Sequence, residues 1–262
     1  MIAVFDVGNT KTALGLYEKG KRVYDWTVQT DVNQTADAFA MLIRQLFQHH
    51  GLKLENVRGV MVSSVVPAFD ETLRDMCTRY FDLPPKTVGP GIKTGLNIMS
   101  DNPKEVGSDR IVNAVSALQK YQAPLIIVDF GTASTYCYIN KKSQYMGGVI
   151  APGMEISMQA LYNKASKLPT VDTVKTDKVI GTNTVDAMRS GYLFGVISQA
   201  EGIIGKIKAE ADDASPLVIA TGDQAEMIAE NTASIDKVEP YLTLDGLCYI
   251  YEKNEKRRMN DE

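Results

Sequence analysis

The chain has 262 residues, with 28 Lys+Arg against 32 Asp+Glu, a formal net charge of −4 and a pI near 5.4. That balance argues against a dedicated nucleic-acid binder, which shows a basic face or a pI above about 9, and 44% hydrophobic with 23% charged residues is the composition of a folded chain. No run approaches the ~18 apolar residues of a membrane span, and the start, MIAVFDVGNT, lacks the basic n-region of a secretory signal.

The length fits one large domain or two small ones. Residues 3–17 (AVFDVGNTKTALGLY) form an apolar run that breaks at Asp-x-Gly and resumes as a second run, which predicts strand, tight turn, strand. Val23–Val28 is strand-like, and a helix is expected from Thr35 as N-cap, with Ala36, Phe39, Ala40, Ile43, Leu46 and Phe47 on its apolar face. Val57–Val65 reads as a buried strand. Gly107 and Ser108 mark a turn into a helix with Ile111, Val112, Val115 and Leu118 on one face, so Asp109 and Arg110 fall in its first turn.

Residues 126–140 (IIVDFGTASTYCYIN) then repeat the opening pattern. Laid over residues 3–17, Asp6 meets Asp129, Gly8 meets Gly131 and Thr12 meets Thr135. Downstream come a strand-like Tyr145–Ile150, a helix-like Ser157–Lys164, a short helix Val185–Arg189 with Thr184 as candidate N-cap, and a strand Leu217–Thr221. The same order in both halves predicts a duplicated α/β fold, joined near Gln119–Pro124. The expected division is 1–120 and 121–254, with 255–262 a flexible tail.

The first hairpin tip, Asp6-Val7-Gly8-Asn9-Thr10-Lys11, offers backbone N–H groups, an amide, a hydroxyl and an ammonium within one turn. Those are donors for phosphate, and Asp6 beside them can hold Mg²⁺. Asp-x-Gly-Asn is also ordinary turn chemistry. A second copy, Asp129-Phe130-Gly131-Thr132, favours a polyphosphate clamp over two unrelated turns. Asp109 can accept a proton from a substrate hydroxyl and Arg110 can anchor a carboxylate or phosphoryl group, or both can simply complement the helix dipole. Spacing alone leaves these readings open.

Other residues carry less. His49 and His50 end a helix and lack a third metal ligand. Cys77, Cys137 and Cys248 have no metal-type spacing and fit reduced, buried thiols of a cytoplasmic protein. Trp26 is expected in a core.

In order along the chain stand DVGNTK (6–11), TAD (35–37), SSVVP (63–67), PGIKTG (90–95), NPKEVGSDRIVNAV (102–115), DFGTASTY (129–136), GGVIAPG (147–153), KLP (167–169), IGTNT (180–184) and LTLDGL (242–247). This set closely resembles type III pantothenate kinase, over about Ile2 to Asn254. The resemblance implies two duplicated ribonuclease H-like halves of the actin-like ATPase and sugar-kinase superfamily, with a nucleotide cleft between them. It implies ATP-dependent phosphorylation of the terminal hydroxyl of pantothenate, the first step of coenzyme A synthesis, in a cytoplasmic homodimer.

By that likeness Asp6, Val7, Gly8, Asn9, Thr10, Lys11, Thr12 and Ala13 lie along the ATP phosphates, with Thr132 adding a contact. Asp109 is the general base. Gly107, Ser108, Asp109 and Arg110 line the pantothenate site, and Thr184 reaches substrate, in relatives from the partner subunit. Asp129 holds a monovalent cation, K⁺ or NH₄⁺, beside the divalent Mg²⁺. Two positions depart from the family pattern. Ser100 stands where the family usually has a Tyr that packs on pantothenate, and Asp223 stands where the late strand usually ends in a second Gly. These departures keep two alternatives open: a weak or inactive regulatory module on the same fold, and a kinase for another hydroxyl acceptor.

Overall fold

The computed structural model describes residues 1–165, 167–171, 176–211 and 215–261, with side chains as far as residue 256. In chain order the elements are β1 (Ile2–Val7), β2 (Lys11–Glu18), β3 (Lys21–Gln29), α1 (Ala36–His49), β4 (Gly59–Ser64), α2 (Pro67–Met76), β5 (Lys86–Thr87), β6 (Asn97–Ile98) and α3 (Ser108–Lys120). They continue with β7 (Leu125–Phe130), β8 (Ala133–Ile139), β9 (Gln144–Pro152), α4 (Met154–Lys164), α5 (Thr184–Glu210), β10 (Leu217–Thr221), α6 (Ala225–Ala229), β11 (Lys237–Val238) and α7 (Leu242–Asp261).

Two sheets form, in the orders β3-β2-β1-β4-β5 and β11-β10-β7-β8-β9-β6. In each, three antiparallel strands are followed by a fourth strand parallel to the first and a fifth parallel to the fourth. The second sheet is thus the first repeated, with β6 added on its β9 edge. The duplication expected from the Asp-x-Gly repeat is present in the topology.

Registers correct the simple overlay of the two hairpins. Asp6 faces Ala13 and Val7 faces Thr12, whereas Asp129 faces Thr135 and Phe130 faces Ser134. The second hairpin is one residue shorter, so Thr12 corresponds to Ser134, not to Thr135. Both are buried.

Strand alternation sets the first core. Ala3, Phe5 and Val7 face α1 and α2 through Phe39, Ile43, Phe47, Phe69 and Leu73. Val4 and Met61, on the opposite face, meet Val112 and Val115 of α3 and Leu244, Leu247 and Ile250 of α7. Thr35 caps α1 as expected, accepting from the Ala38 N–H at 3.2 Å. Trp26 is half-buried and stacks between Tyr24 and Phe47, both at 5.7 Å. His50, at the end of α1, stacks on Tyr24 at 4.5 Å. The second core joins Ile126, Val128, Phe130, Tyr136 and Val218 to Leu193, Ile197, Ala200 and Ile204 of α5.

The compact units are Met1–Leu96 with Asn102–Lys120 and Tyr241–Glu262, and Asn97–Asp101 with Tyr121–Pro240. The C-terminal helix, expected with the second half, therefore belongs to the first unit. Its apolar stripe is buried against β1, β4 and α3, and Gly59 lacks a side chain where the Tyr251 ring sits. The tail expected to be flexible from 255 continues as helix to Asp261, with Glu255 paired to Lys86. Two helix starts also differ. α4 begins at Met154 after Gly153, and α5 is capped by Asn183, whose side chain accepts from the Asp186 N–H at 2.9 Å, so Thr184 is its first residue. Among the described residues no helix is long and apolar enough to cross a membrane.

Candidate active site

In the first unit the site grows from the end of β1. Asp6 lies between Ala13 of β2 and Ser63 of β4. The tip is closed by Gly8 N donating to Lys11 O at 3.0 Å, and a Cβ at Gly8 would stand 3.0 Å from that oxygen. Thr30, just past β3, staples the tip. Its backbone N donates to Thr10 O at 3.0 Å and its hydroxyl donates to Gly8 O at 2.8 Å. That leaves Thr30 Oγ1 as acceptor for the Thr12 hydroxyl, 2.8 Å away. Asn9, Thr10 and Lys11 are exposed and Asp6, Gly8 and Ala13 half-buried, whereas Val7 and Thr12 are buried. Thr12 thus braces the loop from inside. The staple went unread in the sequence because Thr30 is brought to the tip by the β2–β3 pairing.

The first turn of α3 is docked onto the end of β4. Ser108 Oγ donates to Ser64 O at 3.1 Å and accepts from Ser63 Oγ at 3.0 Å. Ser63 is the strand neighbour of Asp6, so this contact brings the Asp109 turn to the strand end beside the hairpin. Asp109 and Arg110 are half-buried. Gly107 makes room for the Asp109 carboxylate, which a Cβ there would strike. The Arg110 guanidinium reaches Glu105 O at 3.5 Å.

In the second unit Asp129 occupies the place of Asp6, between Thr135 of β8 and Thr221 of β10. Glycine backbone crowds it. Gly222 has φ +95°, and a Cβ there would stand 2.7 Å from Asp129 Oδ1 and 2.6 Å from Phe130 O. A Cβ at Gly131 would lie 3.7 Å from the same carboxylate oxygen. The Thr132 carbonyl accepts from Gly153 N at 3.1 Å, which fixes the second loop to the start of α4. Carboxylate and carbonyl oxygens are the donors a hard cation requires. Asp223 is exposed and is not among the residues with positive φ, so it replaces glycine without backbone strain.

Two other expected site residues also lie in this unit. Ser100 follows the edge strand β6, and its hydroxyl is buried without a hydrogen-bond partner. Thr184 is exposed at the start of α5 and lines a cavity of about 530 Å³ with Ser157, Leu161, Met188 and Tyr192. Among the described residues no group of three or more His, Cys, Asp or Glu could hold a metal by itself.

Two carboxylate-bearing hairpins on duplicated sheets give the fold expected from the sequence, that of actin-like ATPases and sugar kinases. Solved structures agree on that fold. A Campylobacter jejuni protein assigned to the Baf family of transcriptional activators matches with TM-score 0.59 at 16% identity, covering 97% of this chain and 99% of the other. The activator of 2-hydroxyisocaproyl-CoA dehydratase from Clostridium difficile, with bound ADPNP, matches with TM-score 0.56 at 12% identity, covering 99% and 97%. The type III pantothenate kinase family model matches residues 2–206. A type III pantothenate kinase of Bacillus cytotoxicus is 54% identical over 254 residues, 97% of each chain. The chain belongs to the type III pantothenate kinase family.

Proposed function

We propose that the protein transfers the γ-phosphoryl group of ATP to the terminal hydroxyl of pantothenate, the entry step of coenzyme A synthesis. The near-full-length likeness to a type III pantothenate kinase carries this reading. Phosphoryl transfer needs positioning and charge neutralisation more than covalent chemistry, and the side chains gathered around the first hairpin and α3 are of that kind.

Asp109 takes the proton of the attacking hydroxyl, and Gly107, Ser108 and Arg110 hold the acceptor, with Arg110 on its carboxylate or on the moving phosphoryl group. The exposed amides and side chains of Gly8–Lys11 bind the phosphates, with Asp6 and Ala13 flanking them. Val7 contributes through its backbone and Thr12 through its bond to Thr30. Mg²⁺, when bound, neutralises phosphate charge. Asp6 would hold it through a carboxylate oxygen. Asp129 and the oxygens around it hold K⁺ or NH₄⁺, and Thr132 contacts the nucleotide. Thr184 reaches substrate from a partner subunit of a homodimer. Exposed Val149, Ile150, Ile156, Leu161, Val179 and Ile180 in the second unit favour such a partner. A cytoplasmic location is part of this reading.

The test is ADP release with ATP, Mg²⁺ and K⁺ or NH₄⁺, with and without pantothenate. Pantothenate-dependent release is expected. ATP turnover that another hydroxyl compound stimulates, and pantothenate does not, would assign a different acceptor.

A further inference from the structure

The LTLDGL segment (242–247) opens α7 and has no part in the reaction above. Its residues hold α3, the helix that begins at Ser108 and Asp109. Thr243 Oγ1 donates to Asn113 Oδ1 at 2.7 Å. Gly246 lets the helices touch, since a Cβ there would stand 2.6 Å from Val112 O and 3.0 Å from Ser116 Cβ. Asp245 uses both carboxylate oxygens. Oδ2 accepts from Lys120 Nζ, at the end of α3, at 2.8 Å, and Oδ1 accepts from Tyr17 OH at 2.6 Å. Tyr17 is buried on β2, the strand that leaves the phosphate hairpin. Burial first, then the bond to Asp245, push its phenol pKa up, so it stays a donor.

We propose that Asp245 is a positioning residue for phosphoryl transfer. Its carboxylate ties the end of β2 remote from the first hairpin, where Tyr17 pairs with Ile2, to Lys120 at the last residue of α3, and through these two elements it sets where the base stands. This rests on the kinase reading above. Losing the Tyr17 bond lowers stability by about 1–3 kcal/mol, so the positioning role is read in kcat and not in Tm. The Lys120 and Asp245 side chains are 32% and 30% exposed, and a solvent-accessible pair of this kind contributes at most about 1 kcal/mol. A base misplaced by about 1 Å can cost up to ~100-fold in rate.

Wild type, Asp245→Ala, Asp245→Asn, Lys120→Met and the Asp245→Ala/Lys120→Met pair are compared for ADP release with varied pantothenate, well below each variant's Tm. For Asp245→Ala, kcat falls about ten-fold while KM for pantothenate stays within about two-fold. Asp245→Asn keeps an acceptor for Tyr17 and gives an intermediate loss. Adding Lys120→Met to Asp245→Ala lowers kcat no further. Amide exchange at 111–114, the first bonded turn of α3, speeds up in Asp245→Ala. A wild-type kcat in Asp245→Ala with only a lowered Tm overturns the proposal, as do a pure KM effect and unchanged exchange. Should Asp245→Ala fail to fold, Asp245→Asn and Tyr17→Phe carry the same comparison. An inactive wild type would sink the kinase reading instead, and exchange alone would then judge the coupling.

Discussion

The Ser108 hydroxyl of α3 lies 3.0 Å from the Ser63 hydroxyl of β4 and donates to the Ser64 carbonyl at 3.1 Å. Ser63 is fully buried beside Asp6. The turn that carries Asp109 is therefore pinned to the strand neighbouring the first hairpin.

Ser108→Ala removes both contacts and leaves a buried hydroxyl and a carbonyl short of a partner. We expect a loss of about 1–3 kcal/mol in stability by urea unfolding and a fall in kcat of about ten-fold. Unaltered stability and turnover would show that the contact does not hold the turn.

Gly222 and Asp223 should respond oppositely to substitution. Gly222→Ala forces a side chain into positive φ and against Phe130 O and Asp129 Oδ1. The expected cost is about 1–3 kcal/mol, with weakened cation dependence. Asp223→Gly relieves no strain, so its Tm should be close to wild type, and any effect should fall on the KM for ATP. A large Tm gain in Asp223→Gly would contradict this assignment.

Asp129→Asn should abolish stimulation by K⁺ or NH₄⁺ in the ADP-release assay while circular dichroism stays native. Retained cation stimulation would place the cation elsewhere.

Alkaline pH should weaken the fold. Burial pushes the Cys77 thiol up to about 12, and burial, then Glu252 and Asp245, do the same for Cys248. The folded state keeps protons that the unfolded state sheds, so this contribution is fully present below the ordinary thiol value near 8.5. It is lost as pH rises toward about 12. The urea midpoint should be lower at pH 10 than at pH 7.5, and Cys77→Ala with Cys248→Ala should flatten that dependence. Equal midpoints at the two pH values in wild type would contradict it.

Elements marked by local chemistry were legible in the sequence. Asp-x-Gly between apolar runs announced both hairpins, Thr35 announced α1, and Gly107-Ser108 announced α3. Tertiary features were not. The one-residue difference between the hairpins shows only in strand register. The Thr30 staple depends on strand pairing. The allegiance of α7 depends on Leu244, Leu247 and Ile250 finding α3 and β1, which a tail written KNEKRRMNDE conceals. Most of α5 was missed because four glycines (Gly191, Gly195, Gly202, Gly205) interrupt its helical pattern and each lowers local propensity.

The central claim is that Asp109 removes the proton from a pantothenate hydroxyl during transfer from ATP. Its most direct measurement is pantothenate-dependent ADP release by wild type and Asp109→Asn, side by side. Turnover in wild type and a kcat lower by roughly 10²–10⁴-fold in the variant are expected, at unchanged Tm. A variant that turns over at near the wild-type rate would contradict it.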